Sequence, residues 1–306
     1  MNVPRPLEPA AIVEAMYQAL RLAATRLPPD VEVALRAALA DEPDPLARQH
    51  LELSLDNAVT AAAGDGLVCA DTGFPLFYIH VRPDVQIIGG LASLWPAARQ
   101  ATARATADNY LRPTMVHPLD RSNPGDNVGG GLPRVELRFA LDEDAPELEI
   151  IACPKGGGSE IFGTFYRMLY PSDGEAGILK FAIEAIRDGS YAGKVCPPAI
   201  IGLGIGGTAE MCMQMAKEAA ILRPVGSRHP DGRVAAIEDK LLSASRQIGL
   251  GPMGSRGRHA VMAVHAEVAN THTAALPVAV NAQCLVGRRW RALFNACGDV
   301  TYTGVF

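Results

Sequence analysis

The sequence predicts a mixed α+β fold, with a helical region at the N-terminus and then a β-rich core whose strands have helices between them. Three observations carry that expectation. Residues 8 to about 63 are dense in Ala and Leu, and Ile12, Met16, Leu20, Ala23 and Leu27 recur at helical spacing. Alternating or continuously apolar runs follow at 67–81, 133–141, 147–154, 199–207, 259–269 and 273–284. Between several of them lie stretches with the apolar spacing of helices.

Taken in order, Pro28, Pro29 and the DEPDP stretch at 41–45 interrupt the first region, which predicts three helices joined by short turns. Residues 67–81 read as strand, turn and strand around a DTG sequence. Residues 91–108 read as a helix with Leu91, Leu94 and Trp95 on one side. The segment 112–133 is rich in Pro, Gly, Asn and Asp, and reads as a long irregular loop. Flanked by clear elements, such a loop is expected to be functional. PRVELRFAL and ELEIIACP read as two strands across a DEDAP turn, leading into KGGGSE. Residues 175–189 and 208–222 read as helices on either side of AIIGLGIGG, a buried strand entering a glycine turn. EDKLLSASRQIG is a further helix, with Gly249 suited to its C-terminal stop. Neither a repeat nor an obvious linker divides the chain. Residues 1–306 are therefore expected to form one domain, with a helical part at about 8–63 and a core at about 64–291.

Composition narrows the function. Apolar residues make up 48% and charged residues 20%, enough for a sizeable core. A formal net charge of −5 leaves no electrostatic footprint for nucleic acid or an anionic membrane. The first twenty residues lack a basic segment followed by an unbroken apolar core, so no secretory leader is expected. No run of 18 uncharged apolar residues suggests a membrane span. Six cysteines are thinly scattered, unlike a disulfide scaffold; in a reducing cytoplasm, the expected location, such residues are core thiols, nucleophiles or metal ligands.

Five segments place Gly or Pro beside reactive side chains: VCADTG (68–73), LRPTMVHPLDRSNPGDN (111–127), PKGGGSE (154–160), CPPAIIGLGIGGTAE (196–210) and NTHTAALPVAVNAQC (270–284). Glycine runs let backbone N–H groups crowd an anion, whether phosphate or carboxylate. KGGGSE lacks P-loop spacing, because its Lys precedes the glycines. GLGIGG approaches a dinucleotide fingerprint, but its final Gly falls early, and a tight strand-to-helix turn explains it at least as well. Cys69, Cys196 and Cys284 each sit where an apolar strand meets a turn. Cys153, within an alternating strand, and Cys212, among Met211, Met213 and Met215, read as core residues. On spacing alone, buried free thiols are the better reading of the three turn cysteines.

In this order, from about residue 10 to 291, the five segments resemble the alpha subunit or N-terminal half of the class I fumarase and tartrate dehydratase family. That family's pattern runs CQDTG, an LR…DPL-R-N-GDN loop, PKGGGSE, CPP…GIGG and THxASLPV…C. The resemblance implies a hydro-lyase that adds water to, or removes it from, a small dicarboxylic acid, with fumarate and malate first and tartrate or mesaconate as alternatives. It implies a [4Fe–4S] cluster in a central cleft, held by Cys69, Cys196 and Cys284, with one iron left open as a Lewis acid. Arg112 matches the family's substrate-carboxylate arginine, and Gly156, Gly157 and Gly158 match its substrate-contacting loop. Lys155, beside them, adds positive charge to the expected pocket. Asp71 and His272 match an acid beside the substrate and a histidine near the open iron. The family's base, a threonine, belongs to a C-terminal half or a beta subunit. Nothing through Phe306 resembles that half, so a beta-subunit partner, most simply in an α2β2 heterotetramer, is implied. Two positions depart from the pattern: Ala70 replaces a Gln, and Leu285 stands where many relatives carry an aromatic or His. Two rivals follow from the residues. The first is a nucleotide-binding enzyme built on Gly202–Gly207. The second is a catalytically silent paralogue that binds a ligand or partner.

Overall fold

Proline opens each of the first three helices, at a position where its missing N–H is no loss: α1 (Pro9–Thr25), α2 (Pro29–Asp41) and α3 (Pro45–Ala62). In the computed structural model, which describes residues 6–306, they are followed by β1 (Phe74–Val81), α4 (Leu94–Ala107), β2 (Arg134–Phe139) and β3 (Leu148–Lys155). The short α5 (Gly157–Phe162), β4 (Thr164–Leu169), α6 (Gly174–Ser190), β5 (Ala199–Gly206), α7 (Ala209–Leu222) and α8 (Gly232–Ser245) come next. The chain finishes with β6 (Val261–Ala269), β7 (Leu276–Gln283), β8 (Trp290–Phe294) and β9 (Val300–Thr303). The first five residues of the segment read for a leader lie outside the described residues. No helix among those described is long and apolar enough to cross a membrane.

The chain divides into two units, each built on its own sheet. The first comprises the residues through Pro28, Ala58–Lys155 and Arg288–Val305. Its five strands run in the order β2-β1-β3-β8-β9, with β1 and β2 parallel and the other pairs antiparallel. Helices α1 and α4 pack together, and α1 packs on β3 and β8. Ile12, Met16 and Leu20, one helical face, are fully buried with Phe77, Ile79, Ile150 and Phe294. Burying each such side chain contributes about 1.5–3 kcal/mol.

The second unit comprises Pro29–Asn57 and Gly156–Gly287, with the terminal Phe306. Its sheet runs β4-β7-β5-β6, with β5 and β6 parallel. Strand β5 is buried along its whole length, as its unbroken apolar sequence requires, and α7 lies directly on it.

Three details differ from the sequence reading. Residues 67–73 form no strand before β1; Gly64 and Gly66 turn the chain at φ +100° and +144°, and the Val68 amide donates to the Ala24 carbonyl. Strands β2 and β3 exist but do not form a hairpin, because β1 lies between them and pairs with both. Strands β4, β8 and β9 were not anticipated; they are six, five and four residues long.

Candidate active site

In the first unit the CADTG segment is an irregular loop leading into β1. Thr72 is fully buried, and its hydroxyl accepts the Arg112 amide at 2.9 Å. The Arg112 guanidinium is exposed and reaches back to the Ala70 carbonyl at 3.4 Å. One loop pair therefore carries Cys69 and Asp71, both half-buried, together with a guanidinium held only loosely. The long loop that begins with Arg112 is fastened by a residue the sequence reading did not single out. Asn127, fully buried, accepts the amides of Thr114 (2.9 Å) and Met115 (3.1 Å), and donates to the Arg112 carbonyl (2.8 Å) and to Thr106 Oγ1 (3.0 Å). Every hydrogen-bonding position of its carboxamide is used. It sits at φ +60°, a left-handed conformation that Asn tolerates better than other non-glycine residues. The GDN tripeptide was the available signal.

Strand direction gathers further motifs at one end of the five-stranded sheet. The start of β1 pairs with the end of β3, Phe74 opposite Lys155, and the start of β8 pairs with β3 through Trp290 and Ala152. The CADTG loop, Lys155 and the segment entering β8 thus share that end. Lys155 is fully buried there. The three glycines that follow make the turn from β3 into α5, and a Cβ on Gly158 would come within 2.6 Å of the Lys194 carbonyl oxygen, so only glycine fits.

In the second unit Cys196 precedes β5 and Cys284 directly follows β7, strands that pair antiparallel with Ile200 opposite Gln283. The two cysteines accordingly lie at one end of the four-stranded sheet. Their turns are joined directly, the Leu285 amide donating to the Cys196 carbonyl at 3.1 Å. Cys196 takes φ +53°, unusual for a residue with a side chain and a recurrent feature of functional sites. Gly287 closes the other turn, its amide donating to the Cys284 carbonyl at 2.9 Å.

His272 is not brought to that end. It lies in the turn before β7, with the eight-residue strand between it and Cys284, at about 3.3 Å of rise per residue. Its exposed ring accepts the Ala274 amide at Nδ1, which leaves the proton of the neutral ring on Nε2. The glycines of GLGIGG have a packing explanation. A Cβ on Gly202 or Gly204 would approach the carbonyl oxygens of Ala216 and Cys212 to 1.8 and 2.1 Å, so both admit α7 against β5. The turn itself is made by Gly206 and Gly207, at φ +85° and +72°, so the tight strand-to-helix reading accounts for each glycine of the motif.

Cys69, Cys196 and Cys284 each lie on a loop or turn beside a strand. Among the described residues no three His, Cys, Asp or Glu side chains converge tightly enough for one metal ion. A four-iron cluster takes thiolates as ligands, each on its own iron, and a cysteine on a stiff turn is a donor of that type. Burial pushes the Cys212 thiol up to about 12, and it donates to the Gly204 carbonyl at 3.2 Å, as an inert core thiol does. A cavity of about 420 Å³ opens elsewhere in the second unit, lined by Ala34, Ala37, Ala38, Asp41, Arg246 and His259 among others. None of the residues singled out from sequence lines it.

The class of the chain, a hydro-lyase, follows from the family it matches. Residues 13–292 match the family described as Fumarate hydratase (Fumerase), and the chain belongs to that family. It is 37% identical over 278 residues to a putative L(+)-tartrate dehydratase subunit alpha of Methanocaldococcus jannaschii, covering 91% of this chain and 95% of the relative. It is 33% identical over 291 residues to the L(+)-tartrate dehydratase subunit alpha of Escherichia coli K12, covering 95% and 92%.

Proposed function

We propose that the chain is the alpha subunit of a cluster-dependent hydro-lyase acting on a C4 dicarboxylic acid, with fumarate and malate as the first substrate pair. The reading rests on one observation: the Arg112 amide bonded to Thr72, which puts a loosely held guanidinium on the same loop pair as Cys69 and Asp71. In this proposal Cys69, Cys196 and Cys284 hold a [4Fe–4S] cluster, and residues 1–306 act as one functional piece. When bound, the cluster supplies a Lewis acid for the departing hydroxyl. Arg112 binds one substrate carboxylate through its planar fork, and Lys155 adds positive charge beside it. The Gly156–Gly158 turn offers backbone close enough to touch the ligand, and Asp71 orients or exchanges a proton with it. His272 enters on the resemblance alone. A beta subunit supplies the remaining carboxylate contacts and the base, in an α2β2 assembly. Tartrate is the second reading, favoured by the names of the relatives and by the amide lost at Ala70. A reducing cytoplasm suits a thiolate-held cluster.

The test is anaerobic preparation of the chain with its beta partner, followed by iron analysis and turnover of fumarate, malate, mesaconate and tartrate. About four irons per chain and turnover of one diacid that depends on the partner are expected. An iron-free preparation that turns over a diacid at full rate would overturn the reading.

A further inference from the structure

The segment entering β8 carries a charge the chain leaves unanswered. Arg288 is 1% exposed, and none of its three guanidinium nitrogens has a hydrogen-bond partner among the described residues. Two residues on, the Trp290 indole N–H is likewise buried and unpaired. Four nitrogens that only donate therefore stand without an acceptor on two residues, 288 and 290, where β8 begins. That position is the end of the five-stranded sheet at which the CADTG loop enters β1 and Lys155 closes β3.

A buried cation without a counter-charge is unfavourable, and an apolar side chain of similar volume would serve stability better. A role in holding the fold does not explain Arg288. A guest that only accepts hydrogen bonds and carries negative charge does. We infer that Arg288 is the buried counter-charge of an anionic guest at this end of the sheet, with the Trp290 N–H as a supporting donor. The inference deepens the proposed function and rests on it. Two sources offer the chemistry: a carboxylate of the substrate, which a planar guanidinium binds through two N–H groups, and an iron–sulfur cluster whose sulfides and thiolates accept N–H donors. A chain of net charge −5 that takes a dianionic substrate needs cations gathered locally; Arg288 would join Arg112 and Lys155 in that task.

Arg288→Met and Arg288→Lys in the full chain with its beta partner test this. Three quantities are measured on the same anaerobic preparations: melting temperature, its rise with succinate (a diacid with neither a double bond nor a hydroxyl to react), and iron content with reduction potential. The Met variant is expected to melt no lower than the wild type when succinate and iron are both withheld. If the guest is the carboxylate, half-maximal stabilisation needs on the order of tenfold more succinate in Arg288→Met, with iron and potential unchanged. If the guest is the cluster, Arg288→Met lowers the reduction potential or the iron content and leaves the succinate response alone. Lys recovers part of either effect, because it restores the charge without the fork. An iron-loaded, succinate-responsive wild type matched by Arg288→Met in both respects would overturn the inference, as would a Met variant that melts far lower without any guest. A wild type that takes up no iron and ignores diacids overturns the hydro-lyase reading itself, and this inference with it.

Discussion

The Asn127 carboxamide donates to the carbonyl of Arg112 at 2.8 Å while accepting the amides of the two residues at 114 and 115. The loop that presents the guanidinium is thereby held by one buried side chain, whose other donor goes to Thr106 on α4. Asn127→Ala leaves several backbone groups unsatisfied and puts a Cβ-bearing residue without a carboxamide in a left-handed conformation. A loss of about 2–4 kcal/mol in unfolding free energy is expected, together with weaker substrate binding. Denaturant titration checks it; a loss under about 1 kcal/mol would show the loop is held by other contacts.

The cysteines divide by environment. Cys196→Ser, at the left-handed turn, is expected to lose or cripple iron loading, as are the Ser variants at Cys69 and Cys284. Cys153→Ser and Cys212→Ser should keep their iron, since both thiols are buried in the body of their units. Iron analysis after anaerobic reconstitution decides, and full, stable loading of Cys196→Ser would remove it from the ligand set.

Arg112→Lys keeps the charge but loses the fork. Catalytic efficiency of the complex should fall by about tenfold or more, equivalent to at least about 1.4 kcal/mol, with iron content unchanged. Ala70→Gln restores the family's amide and should raise activity on fumarate or malate relative to the native diacid. Unchanged relative rates would mean that position 70 does not select the substrate.

Burial, the largest effect, holds the His259 imidazole below its ordinary value; Arg246 acts the same way, while Asp41, whose carboxylate lies 3.1 Å from Nε2, and Glu42 oppose it. The sign follows from linkage. Below about pH 6.5 the unfolded chain binds this proton more readily than the folded one, so stability declines as pH falls from about 7 towards 5. His259→Gln should flatten part of that decline, which melting temperatures across the range would show. An unaltered slope would assign the proton uptake to other groups.

How much of this was legible beforehand varied with the kind of signal. The first three helices announce themselves by periodic apolar residues punctuated by proline, and β5 by an unbroken apolar run. The order of the first sheet is another matter. Only the β1–β3 and β1–β2 pairings, which join residues far apart in sequence, place β1 between β2 and β3, and no local pattern encodes that insertion. The motif residues were legible because each sits on a turn with its own Gly, Pro or Asx punctuation. Asn127 and Arg288 were not, since their significance lies in what surrounds them: four hydrogen bonds in one case, none in the other. His272 is legible as a motif residue, while its place at the end of the second sheet opposite Cys284 is set by the length of β7.

The path of the chain between its two units bears on how it folds. The first sheet is made from segments on both sides of the second unit's main segment, and β8 and β9 come only after Gly287. During synthesis β1, β2 and β3 can pair with one another once Lys155 is made, but the other edge of β3 waits for nearly the whole polypeptide before its neighbour β8 exists, while the sheet of the second unit has all its strands earlier. Pairings of such long sequence separation form slowly and leave strand edges exposed in the meantime. The region through Lys155 has no finished sheet of its own, so a cut at that point is expected to yield an aggregating fragment rather than an autonomous half, and newly made chains should depend on chaperones until the last strands arrive.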